Sequence, residues 1–236
     1  MIKRSIVALG ALAGLSVVYL AASLFSPPLL LFPHERRVGE TMVYSETPIP
    51  DEIDTVIRRS DALLRTSEFF ERRALGRPVF ITRGGWRWRW LSFETPRAFA
   101  QTRPFGENVV VNRADIARDK VWNGAPVAGE RVLSDVIAHE RTHILIRMQF
   151  GVLADRRFPA WLREGYCDYV ANSSTLSDQQ ASQLVAENRM IPALFYYQSR
   201  KRVERALRDN GGSVQALFQS SLAPSSPKAP QPFPKP

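Results

Sequence analysis

Cysteine, histidine and lysine are all scarce in this 236-residue chain, and each scarcity narrows what the chain is. Cys167 is the single cysteine. No intramolecular disulfide is therefore available, and its apolar neighbours mark it as a small core residue. Lysine occurs 5 times against 27 arginines, within a formal charge of +9. Such a balance suits an anionic partner, a phospholipid surface or an acidic polymer, or else an arginine-rich solvated surface. Basic residues interleave with aromatics only in "WRWRW" at 86–90. No nucleic-acid motif accompanies it, so no nucleic acid is expected as a partner. No internal repeat is visible. A hydrophobic fraction of 44% excludes a chain disordered throughout.

One long hydrophobic run is present. Lys3 and Arg4 precede a charge-free stretch over residues 5–33, whose apolar centre at 6–25 spans 20 residues. As a helix that is about 30 Å, the thickness of a bilayer core. A cleaved signal has a shorter centre and a better processing site than "LAAS", so 1–32 reads as an uncleaved membrane anchor. Arg36 and Arg37 blunt the charge asymmetry across it. A short head normally stays inside while a long tail is translocated. The expectation is thus a single-pass protein whose main domain lies on the extracytoplasmic side, periplasmic or cell-exterior.

Pro27, Pro28 and Pro33 end that helix, and 33–50 reads as a linker. Residues 50–73 carry Ile53, Val56, Ile57, Leu63 and Leu64 at helical spacing, with Asp51 as a cap and Gly76 and Pro78 as the stop. "PVFIT" (78–82) and "NVVVNR" (108–113) read as short strands. "WRWRWLSFE" (86–94) alternates tryptophan with arginine and reads as a third strand, its tryptophans inward. Helices follow at 135–147, 158–172, 176–187, 193–210 and 213–222, the third opened by a Ser177–Gln180 capping box. The proline-dense end, 223–236, reads as a disordered tail. The order of elements predicts one α+β domain over 51–222.

The chemistry lies in "DVIAHERTHILIR" (135–147), which holds two of the three histidines. His139 and His143, at i and i+4, stand one above the other on a helix and can share one tetrahedral ion at roughly 2.0–2.1 Å. Glu140 sits one position round, displaced from ligation but placed to hold an activated water. Paired core histidines are the bland alternative. A catalytic zinc needs a third protein ligand, and "PAWLREGYCDYV" supplies carboxylates at i and i+4, Glu164 and Asp168. Asp168, one turn on, is positioned to accept the free ring N–H of a ligating histidine.

HExxH followed by "WLREGYCDY" resembles the gluzincin metallopeptidases, the thermolysin and zinc-aminopeptidase superfamily; the sharp match covers 135–172. The resemblance implies a small mixed sheet packed on the zinc helix, followed by a helical subdomain. It implies one Zn2+ held by His139, His143 and Glu164, with Glu140 as general base and Asp168 as the partner of His139. It implies a peptide substrate lying along an edge strand, for which "NVVVNR" is the candidate. Relatives often carry Asn where Arg163 stands. They use a downstream Tyr or His for the oxyanion; no histidine follows His143, leaving Tyr166, Tyr169, Tyr196 and Tyr197. The reading is a membrane-anchored zinc peptidase. Its alternative is a catalytically silent, zinc-stabilised module binding an anionic polymer or membrane surface.

Overall fold

The computed structural model describes residues 2–103 and 107–222, with the backbone alone described for 2–13 and 29. The proline-dense segment 223–236 lies outside the described residues.

An α+β domain forms around a mixed five-stranded sheet. The chain begins with helix α1 (Ile2–Phe25) and a 3-10 turn (Pro27–Leu30). The hairpin β1 (His34–Val38) and β2 (Thr41–Ser45) follows, then α2 (Ile53–Leu64) and β3 (Val79–Ile81). After these come α3 (Trp86–Leu91), β4 (Ala100–Thr102) and β5 (Val109–Val111). The sheet order is β1-β2-β3-β5-β4. β2, β3 and β5 are parallel, while β1 and β4 run antiparallel at the two edges. A second, antiparallel sheet is formed by β6 (Arg113–Asp115), β7 (Lys120–Trp122) and β8 (Glu130–Val132). The helical half comprises α4 (Leu133–Phe150), α5 (Ala154–Arg157), α6 (Ala160–Val170), α7 (Asp178–Ala186), α8 (Pro192–Asp209) and α9 (Val214–Ser220). Among the described residues no helix is long and apolar enough to cross a membrane.

Strand alternation divides the core. Val79, Ile81, Val109 and Val111 face Ile53, Ile57, Val136, Ile137 and Ile144 of α2 and α4. Phe80 and Val110 point the other way, into a layer with Leu30, Trp88 and Leu91. α4 is thus enclosed by the sheet, α2 and α6, and most of its length is buried. Its amino end is held by Asp119, whose carboxylate accepts from Ser134 N and Ser134 Oγ, each at 2.7 Å. An acidic group at a helix amino terminus complements its unpaired N–H groups. Gly151 ends the helix at φ 87°, its N–H reaching Arg147 O at 2.8 Å.

Arg141, inside the histidine motif, ties α4 to α2 and β2. It is fully enclosed, donating to Asp61 Oδ1 at 2.6 Å and to Thr41 Oγ1 at 2.7 Å. Burial pulls its pKa down against the pull of Asp61. Desolvation offsets much of the attraction in a buried ion pair of this kind.

Four expectations need correction. Residues 34–45 are not linker but the hairpin that adds two strands to the sheet. α2 stops at Leu64, and Asp51 does not cap it; its carboxylate pairs with Arg36 instead. "WRWRW" is the short helix α3, not a strand. As one helical turn it buries Trp88, whose Nε1 donates to Pro96 O at 2.8 Å, and sends Trp86 and Trp90 to one common side. "NVVVNR" contains β5, which lies inside the sheet between β3 and β4; the edge strand beside α4 is β4.

Candidate metal centre

Three elements build the site. α4 supplies His139, Glu140 and His143, α6 supplies Glu164 and Asp168, and β4 supplies Thr102. Pro159 starts α6 with extended backbone, which brings the helix back across α4.

Glu164 Oε2 lies 3.3 Å from His139 Nε2 and 3.4 Å from His143 Nε2. The rings themselves stand edge to face, with centroids 5.1 Å apart. His139 Nδ1 is 2.7 Å from Asp168 Oδ1, where its proton is donated, which leaves Nε2, facing Glu164, as the nitrogen that a metal would take in place of a proton. Burial disfavours the charged imidazole, but the Asp168 carboxylate, aided by Glu164 and Glu140, pushes the His139 pKa up to about 10. Glu164 also works against its burial: the flanking His143 and His139 hold its carboxyl well below the usual range. Asp168 is held down as well, burial being outweighed by Arg131 and His139.

Cys167 stands behind this group. Ligand atoms from His139, His143 and Cys167 all lie within 4.8 Å of one another, and this buried group can hold a metal ion. The thiol is fully enclosed, and burial, reinforced by Glu164, pushes its pKa well above the usual value. A thiol needs its thiolate form to ligate, whereas Glu164 is already ionised.

Glu140 is fixed from the edge strand. The Thr102 hydroxyl, with one proton, lies 2.7 Å from both Glu140 Oε2 and Glu140 O. Among the described residues β4 pairs with β5 alone, which makes it an edge strand of the sheet.

The four tyrosines separate cleanly. Tyr166 is buried in a cluster with Phe69 and Phe218, its hydroxyl 2.7 Å from Ser67 Oγ. Tyr169 lines an open depression of about 460 Å³ with Glu204, Leu207 and Arg208. Tyr197 donates to Asp178 Oδ1 at 2.8 Å. Tyr196 alone meets the metal group, its ring 6.3 Å from that of His139. Negative charge on Glu164, together with burial, raises the Tyr196 pKa well above its usual value. The phenol therefore stays protonated and remains a hydrogen-bond donor.

Gly165 explains how Tyr196 gets there. A methyl at this position would lie 2.6 Å from the Ser199 carbonyl carbon and 2.9 Å from Val203 Cγ2. Only a residue without Cβ lets α8 lie this close on α6. Two further residues escaped the sequence reading. Arg131 on β8 donates to Asp168 Oδ1 at 2.8 Å, beneath the ring of Phe99. Thr102 is a lone hydroxyl in a three-residue strand with no local signal. Arg163 lies 3.3 Å from Asp155 and 3.7 Å from Glu164 Oε1. It thus pairs with the carboxylate oxygen other than the one nearest the histidines. No family model, curated protein or solved structure matches the chain.

Proposed function

We propose that the chain is a membrane-anchored zinc peptidase of gluzincin type, with His139, His143 and Glu164 as ligands and Glu140 as general base. The observation that carries this reading is the triangle made by Glu164 Oε2 and the two Nε2 atoms, with edges of 3.3 and 3.4 Å to the carboxylate. Ligands at 2.0–2.1 Å around a tetrahedral centre lie about 3.3–3.4 Å apart, so the carboxylate oxygen stands at ligand spacing from each imidazole. Four-coordinate zinc with three protein ligands keeps one position open, the mark of a catalytic rather than a structural site. Bound zinc supplies Lewis acidity and activation of water. Glu140, oriented by the Thr102 hydroxyl, accepts the proton of the attacking water and passes it to the leaving amine. Tyr196 donates to the developing oxyanion. The edge of β4 aligns an extended peptide by main-chain hydrogen bonds, the role first given to "NVVVNR".

The apolar run over 6–25 supports a single-pass anchor, and the short head before it supports a domain on the extracytoplasmic side. The proximity of Cys167 favours one second reading: a silent site of His139, His143 and Cys167 that only stabilises an interaction module. The deciding experiment uses the full chain in detergent. Zinc content and cleavage of a peptide library are compared between the wild type and Glu140→Gln. One zinc in each, with cleavage in the wild type alone, supports the peptidase. Zinc in both and cleavage in neither supports the module.

A further inference from the structure

On the sheet face opposite α4, the surface around α3 has no role in the chemistry above. Trp86 is 56% exposed, Phe93 56% and Leu31 75%, a concentration of large apolar side chains that water-facing surfaces rarely carry. Trp86, Arg89 and Trp90 share one face of α3, and Phe93 follows in the turn after it.

This face is tied to the end of α1. Trp90 Nε1 donates to Ser23 Oγ at 2.9 Å, and Arg103 Nε donates to Leu24 O at 3.2 Å. Arg87 closes the exit turn, donating to Leu30 O at 2.9 Å and to Leu31 O at 3.3 Å. The carbonyls left unpaired where α1 and the turn end are thus satisfied by arginines from the domain. The exposed apolar side chains of α1, Leu15, Val17 and Val18 among them, therefore lead directly into the α3 surface. Charge around it is one-sided: Arg83, Arg89 and Arg97 are exposed against Glu94, while Glu46 is already paired with Arg87. Tryptophan beside arginine is the composition of a bilayer headgroup layer.

We infer that α3 is an interfacial docking helix, seating Trp86 and Phe93 in the anionic phospholipid leaflet from which α1 emerges. The inference rests on the anchor reading and adds to it. The domain would be held flat by a second contact, with α4 and the metal group across the sheet from the lipid and β4 at its side. A peptide on the edge of β4 would then lie close to the bilayer, so the favoured substrates are membrane-proximal segments.

The test places the full chain in nanodiscs of phosphatidylcholine and phosphatidylserine whose acyl chains carry bromine, a collisional quencher of tryptophan. Co-elution of chain with disc reports the anchor; the quenching pattern reports the docking. Trp86→Phe is expected to remove a large part of the quenching, with Trp90 supplying the rest, and Trp161→Phe, on α6 behind α4, to leave it unchanged. Arg89→Glu is expected to weaken it in discs containing phosphatidylserine. A chain that stays with the disc but shows the same quenching with and without Trp86 overturns the docking surface alone. A chain that does not associate with discs overturns the anchor, and the docking surface with it.

Discussion

Replacing Asp168 by Asn separates the two tasks its carboxylate performs. Asp168 Oδ1 accepts from His139 Nδ1 at 2.7 Å and from Arg131 at 2.8 Å, and the side chain is almost wholly enclosed. The amide keeps the shape but loses the charge. For the metal, losing a carboxylate behind a ligating histidine costs about 10–100-fold in affinity, or about 1.4–2.7 kcal/mol. For the fold, Arg131 is left as a buried cation with its partner gone, at a cost of about 3–5 kcal/mol. Against a total stability of about 5–15 kcal/mol, the second effect is the larger. Asp168→Asn combined with Arg131→Met should therefore recover most of the stability and none of the affinity. Zinc affinity by chelator competition and urea denaturation of the metal-free chain read the two effects separately. Zinc affinity unchanged in a folded Asp168→Asn chain would refute the role given to this carboxylate. A double variant no more stable than the single one would refute the assignment of the stability loss to Arg131.

Three other outcomes are expected. Asp61→Ala strands the enclosed Arg141 guanidinium and should cost about 3–5 kcal/mol, more than Asp61→Ala with Arg141→Met, as measured by urea denaturation. Tyr196→Phe should keep its zinc and lower kcat about 10²–10³-fold, whereas Tyr166→Phe, Tyr169→Phe and Tyr197→Phe should leave kcat near the wild-type value. In the metal-free chain, the His139 pKa is raised from 6.5 to about 10. The stability from its protonated form is then full below pH 6.5 and disappears as pH rises through about 10. Zinc must displace that proton, so its apparent affinity should climb through the same window with measurable proton release. Calorimetry in buffers of different ionisation enthalpy detects it, and zinc binding without proton release would contradict it.

The grouping of the candidate site residues is legible in the sequence because it is local. Two histidines four apart share a helix face whatever the fold, and "WLREG" with Asp168 placed the other carboxylates one turn apart on a second helix. What escaped is non-local. Arg131 is one of 27 arginines, and nothing near it in the chain marks it as the one that reaches Asp168. Thr102 becomes significant only when β4 is laid beside α4. Other misses were avoidable. Three consecutive valines at 109–111 are the pattern of a strand buried on both faces, which argues for an internal position and against an edge. "VGET" at 38–41, with Gly39 at φ 57°, is a hairpin signal inside what read as a linker. "WRWRW" satisfies period two for five residues only, too short to outweigh one turn of helix after Gly84 and Gly85.

The central claim, a metal held by two imidazoles and a carboxylate with one position left open, is tested most directly by zinc X-ray absorption on the purified full chain. The expected first shell is nitrogen and oxygen alone, at about 2.0–2.1 Å. A sulfur scatterer at about 2.3 Å would contradict it, because it would place Cys167 in the shell and leave Glu164 without its role.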